Sequence, residues 1–74
     1  MIEVEKLVQN KYTIYCIKGT KIFHREDGPA VIYASGEIEW WLNDSLFETK
    51  EDWFEALSEE EKIKALFSNH FIEK

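Results

Sequence analysis

Short β-forming runs fill the first two-thirds of the chain, each bounded by turn residues. Tyr12-Thr13-Ile14-Tyr15-Cys16-Ile17 is rich in aromatic and β-branched residues that suit a pleated surface. Both faces of this run are largely apolar, which predicts a central strand. Ile2 to Val8 predicts a weaker strand before it, with Gln9-Asn10 turning between the two. Lys18-Gly19-Thr20 closes the second strand, and Ile22-Phe23-His24 predicts the start of another. Asp27-Gly28-Pro29 is a turn signal. Pro29 has no N–H to give to a ladder, so it belongs at a strand start or edge. Ala30 to Ala34 predicts a strand with Val31 and Tyr33 on one face and Ile32 on the other. Ser35-Gly36 predicts a two-residue hairpin turn. The return strand, Glu37 to Leu42, puts Ile38, Trp40 and Leu42 on a core face and Glu37, Glu39 and Trp41 on the other. Asn43-Asp44 predicts a second tight turn, leading into Leu46 and Phe47.

The period then lengthens. Thr49-Lys50-Glu51-Asp52 has the form of a helix N-cap, with Asp52 placed to return the capping bond. Trp53, Phe54 and Leu57 follow as a helical stripe. Ser58-Glu59-Glu60-Glu61 is a capping box, and its three carboxylates suit the positive end of a helix dipole. Ile63, Leu66 and Phe67 are the predicted buried face of the second helix, and Asn69 its stop. The expected fold is a single α+β domain over residues 1–74. It has an antiparallel meander of about four or five strands in residues 2–47, then two short helices, about 50–57 and 59–68, packed on one sheet face. The stripe Ile38, Trp40, Leu42 is expected to meet Trp53, Phe54, Leu57, Leu66 or Phe67, because each stripe needs an apolar partner.

Size sharpens the demand on that core. A chain of 74 residues buries only about 60% of its unfolded surface, so it needs a dense core, a staple or a partner. Three Trp, three Tyr and five Phe supply aromatic bulk. Cys16 is the only cysteine, which excludes an internal disulfide and fits a reducing compartment. Met1 to Lys6 lacks the basic-then-apolar order of a signal peptide. No apolar run approaches the roughly 20 residues needed to span a bilayer. The expected location is the cytoplasm, with no membrane association.

The net charge is −6, unevenly spread. Residues 1–25 carry two acids and five bases, residues 26–61 twelve acids against Lys50 alone, and residues 62–74 three bases and one acid. So acidic a middle argues against direct nucleic-acid binding, which calls for a basic stripe. It suits a partner with a basic surface, or serves only to solubilise the domain.

The stretch His24-Arg25-Glu26-Asp27-Gly28-Pro29-Ala30, followed by Tyr33, Gly36, Trp40 and Leu42-Asn43, resembles a β-hairpin repeat unit of small uncharacterised tailed-bacteriophage proteins. The unit is loosely similar to MORN-type hairpin repeats. One clear copy is present; where a second would begin, the chain reads Ser45-Leu46-Phe47-Glu48. The segment from Thr49 to Phe67 is similar to the helical tail of such proteins. The resemblance spans about residues 22–67 and implies an accessory protein acting on host physiology, in the host cytoplasm if phage-encoded. It implies no chemistry.

The residues themselves point away from catalysis. No Ser, Cys or Lys nucleophile has a recognisable oriented base, and the three glycines form no phosphate loop. Cys16, His24 and His70 are of types that bind zinc, but their spacing matches no compact pattern. Glu37 and Glu39 share a strand face, with nothing beside them to split their pKa values. His24 and Arg25 beside Glu26-Asp27 form either a small polar site, base and anion clamp, or a turn held by local bonds. The leading expectation is therefore a non-enzymatic protein, without cofactor or metal, that binds and modulates a host protein of a defence or transcription system. Glu37, Glu39, Trp41, Asp44, Glu59 and Glu60 are its candidate partner-binding residues, and carboxylates standing in for phosphates are the sharp form of the idea. The alternative is an oligomeric binder that sequesters a nucleotide signal, using Lys21, His24, Arg25 and Tyr33. A third reading is an enzyme using His24. Trp41, opposite the helix-facing stripe, would leave an apolar patch for a homodimer, a higher oligomer or a partner to cover.

Overall fold

The computed structural model describes residues 2–67; the expectations for Asn69 and His70 lie outside them. Five strands form one antiparallel sheet in sequence order: β1 (Val4–Val8), β2 (Tyr12–Ile17), β3 (Val31–Tyr33), β4 (Ile38–Leu42) and β5 (Ser45–Phe47). Two helices follow, α1 (Lys50–Glu55) and α2 (Glu59–Leu66). This is the expected α+β meander with a helical tail.

Local chemistry sets the turns. Gln9 N–H bonds the Tyr12 carbonyl, so Asn10 and Lys11 make the first turn, one residue later than expected. The β3–β4 loop has three residues, Ala34 to Gly36, rather than two, because the ladder closes with Tyr33 N–H on Glu37 O. Gly36 ends that loop at φ +103°, the left-handed position such loops reserve for glycine. At the β4–β5 turn Asn43 and Asp44 both take positive φ, 49° and 70°, as a two-residue turn of primed type requires.

The third lane of the sheet departs from expectation. Ile22-Phe23-His24 is not a strand: it makes a single bridge, Phe23 opposite Cys16. His24 N–H then bonds Tyr15 O, and Tyr15 N–H in turn bonds Ala30 O. The chain therefore leaves the lane after His24 and re-enters it at Ala30. Its hydrogen bonds are shared among β2, β4 and the β4–β5 turn, with Arg25 N–H on Trp41 O and Asp44 N–H on Phe23 O. One lane thus carries a short strand interrupted by an excursion through residues 25–29.

Register assigns the two sheet faces. Thr13, Ile32 and Ile38 lie opposite one another, as do Trp40 and Phe47, so these residues share one face. The helices pack there. Trp40, Leu42, Trp53, Leu57 and Ala65 form the core, with Phe47 and Phe54 against it. Trp40 and Trp53 lie ring on ring at 4.6 Å. Two parts of the expected core are corrected. Ile38 is 47% exposed, because the short helix α1 reaches only Trp40 and Leu42 of its stripe. Ile63, Leu66 and Phe67 are exposed as well. The helix α2 buries only Ala65, which joins the core beside α1.

The caps follow the sequence. Ser58 and Glu61 make a reciprocal capping box. Thr49 Oγ1 accepts the Asp52 N–H, but the return bond is absent, since an aspartate is one methylene shorter than the glutamate that usually makes it.

Candidate interaction surface

The excursion folds onto the helix-bearing side of the sheet and its polar groups satisfy one another. His24 is 3% exposed. Its Nδ1 accepts the Asn43 N–H at 3.0 Å, so the proton sits on Nε2, which donates to Glu26 Oε2 at 3.0 Å. Glu26 Oε1 takes Lys64 Nζ of α2 at 3.3 Å. Arg25 Nε donates to Asp27 at 2.8 Å, its Nη1 to Pro29 O at 3.0 Å, and its guanidinium lies 3.9 Å above the Tyr15 ring. The Trp53 indole N–H donates to Arg25 O at 3.0 Å. Both side chains are thus engaged within the fold: His24 ties the excursion to the β4–β5 turn and Arg25 packs it on β2, while the Arg25 carbonyl ties it to α1 and Glu26 to α2. Burial opposes the charge on Glu26, but the hydrogen bonds from His24 and Lys64 and the Lys64 charge outweigh it and hold its pKa below the ordinary value.

A cleft of about 260 Å³ lies beside this cluster, lined by Ile2, Val4, Tyr15, Arg25, Glu26, Asp27 and Lys64. It brings in neither Lys21, which is exposed in the turn after β2, nor Tyr33, which lies on the opposite sheet face. The four residues considered for a nucleotide thus do not converge. Two carboxylates in the cleft, each already bonded, would also oppose a phosphate. Cys16 is 1% exposed, and burial, then the Glu5 charge, raise its thiol pKa, which makes it a poor nucleophile. Among the described residues no three His, Cys, Asp or Glu side chains are grouped to hold a metal. No helix among them is long and apolar enough to cross a membrane.

Among the described residues, the opposite sheet face carries no helix. The ladder places Leu7, Ile14, Cys16, Val31, Tyr12, Tyr33, Trp41 and Leu46 on it, with Glu5 and Glu39. Val31 and Cys16 are buried beneath a rim of half-open rings. Phe23 meets Trp41 edge to face at 5.0 Å, and Tyr12 meets Tyr33 at 6.3 Å. Glu39 ties the two halves together: one carboxylate oxygen accepts the Trp41 indole N–H at 3.0 Å and the other the Tyr33 hydroxyl at 3.2 Å. Burial, followed by the Glu39 charge and hydrogen bond and the nearby Glu37, pushes the Tyr33 phenol above its ordinary pKa. The candidate residues divide accordingly. Trp41 and Glu39 lie on this face, Glu37 stands exposed at its border, and Asp44 stands at the β4–β5 turn, where its Oδ1 accepts the Phe23 N–H. Glu59 and Glu60 start α2 on the other side of the sheet and do not join them. Sequence reasoning missed Phe23 and Tyr12 as members of the surface. Tyr12 was legible from its alternation with Ile14 and Cys16; Phe23 was not, because its segment is not a strand.

No family model, curated protein or solved structure matches this chain.

Proposed function

We propose that this chain is a non-catalytic binding protein that engages a protein partner through the helix-free sheet face, in the manner of a phage accessory protein acting on a host protein. The observation that carries the reading is a row of half-exposed rings, Tyr12, Tyr33, Trp41 and Phe23, on a face that the helices leave open. Aromatic residues of this kind anchor interfaces. The ionic groups on the face itself are carboxylates, Glu5 and Glu39, with Glu37 and Asp44 at its border; Lys11, Lys18 and Lys21 stand in the segments flanking β2, Lys18 with Glu3 at 3.6 Å. That balance selects a partner with a basic rim around an apolar centre. Glu39 holds the rings in place before binding, which lowers the ordering cost of association.

The test is affinity capture from host lysate, with the captured protein purified and its binding measured directly. Glu37→Lys should weaken binding at low salt without changing the melting curve, and Trp41→Ala should weaken it at all salt concentrations. Sedimentation of the chain alone reports whether a second copy covers the face instead. A chain that binds no protein and stays monomeric, or binds equally well with both substitutions, refutes the reading.

A further inference from the structure

We infer that the β5 edge accepts an added strand, an extended partner segment with an apolar residue between two lysines or arginines. The inference rests on the binding role proposed above and names how the partner docks. The sheet has two edges, β1 and β5. Natural edge strands deter added strands with charged residues. Strand β1 carries two, Glu5 and Lys6, within its five residues; β5, Ser45-Leu46-Phe47, carries none, and Leu46 is 54% exposed. In a two-residue hairpin the flanking pair, here Leu42 and Ser45, is hydrogen-bonded. The alternation of the ladder then turns the Leu46 N–H and C=O outward, toward the place of a sixth strand.

Space and charge agree with the backbone. Pairing of β4 with β5 stops at Trp40 and Phe47, two residues short of the start of β4. A groove of about 390 Å³ opens there. Its lining comes from both sheet faces, Ile38, Trp40 and Phe47 on the helix side and Glu39, Leu46 and Glu48 on the other, and from Thr49 and Lys50 where the chain enters α1, so its two carboxylates outnumber its one cation. A groove that straddles a sheet edge fits a strand, whose successive side chains alternate between faces. Acidic residues stand two positions to either side of Leu46, Asp44 in the turn and Glu48 where the chain leaves the sheet. A second copy pairing antiparallel about Leu46 would set Asp44 against Glu48 twice, and like charges directly opposite repel. A basic–apolar–basic segment meets attraction at the same two places.

The probe is a blocked Lys-Val-Leu-Val-Lys peptide titrated into the isotope-labelled chain by NMR. The expected result is shift changes centred on Leu46, Phe47 and Glu48, with slowed exchange of the Leu46 amide. A peptide N-methylated at alternate residues, or one with Glu for Lys, should bind about tenfold more weakly or worse, the effect of losing one hydrogen bond or charge pair. Leu46→Pro removes the outward donor and should abolish binding; Leu46→Lys, which needs no backbone change, should do the same with an unchanged melting curve. Absence of peptide binding by the folded chain overturns the inference. So does binding that moves only Trp41, Tyr33 and Phe23 and leaves Leu46 exchange unchanged, although the open-face reading then stands. The reverse case, Leu46 protected while Trp41→Ala and Glu37→Lys leave the natural partner bound, supports strand addition and removes the open face as the site.

Discussion

Replacing His24 with alanine separates a structural histidine from a functional one. The side chain is 3% exposed and joins two parts of the fold remote in sequence, accepting the Asn43 N–H of the β4–β5 turn and donating to Glu26 of the excursion. Alanine leaves the Asn43 amide donor, partly buried by this contact in an otherwise exposed turn, without its acceptor and a carboxylate without one donor. Each such loss costs about 1–3 kcal/mol, so about 2–6 kcal/mol together. A domain of this size has only about 4–11 kcal/mol in all, and about 1 kcal/mol moves Tm by about 4–8 °C. The expected fall is therefore about 10 °C or more, read by thermal and urea melts followed by far-ultraviolet circular dichroism. Two further variants divide the loss. In His24→Asn the amide oxygen overlays Nδ1 and restores the Asn43 bond; in His24→Gln the longer amide reaches the place of Nε2 and restores the Glu26 bond. Both should melt between His24→Ala and the parent. A His24→Ala protein that melts within about 2 °C of the parent refutes the reasoning and reopens a catalytic or ligand-binding role for this residue.

Three other outcomes follow from the same contacts. Glu26 has a folded pKa below its unfolded value of about 4.3, so its ionised form adds stability that is full above that value and lost as pH falls through the folded one; urea midpoints measured from about pH 6 to 3 should fall less steeply for Glu26→Gln than for the parent, and equal slopes would contradict the assignment. Trp40→Ala should cost about 3–5 kcal/mol and leave the domain barely folded, because Trp40 lies directly on the fully buried Trp53; a near-parental melt would show that the ring pair is not the core. On α2, Ala65→Leu should cost about 1–3 kcal/mol by overpacking, whereas Leu66→Ala at a 52% exposed site should stay within about 0.5 kcal/mol; the opposite order would show that the helix faces the other way.

The sequence by itself determined the local structure. The two-sided apolar run from Tyr12 to Ile17, the alternation from Ile38 to Leu42, the turn residues at Asn43-Asp44, and the capping box at Ser58 each act within a few positions, and each is present as read. The same alternation also placed Trp40 and Trp41 on opposite faces, since the side-chain period of a strand leaves no choice. Tertiary structure decided whatever depends on how far one element reaches across another. Ile63, Leu66 and Phe67 form a good helical stripe, yet they stay exposed, and the residue that α2 puts into the core beside α1 is the small Ala65. The segment from Ile22 to Pro29 reads as a strand and a turn, but its backbone donors and acceptors are claimed by three different elements, so it becomes an interruption within one lane of the sheet. His24 and Arg25 were ambiguous in the chain for the same reason: whether they serve a ligand or the fold depends on partners at Asn43, Tyr15 and Lys64, which sequence distance hides and folding supplies.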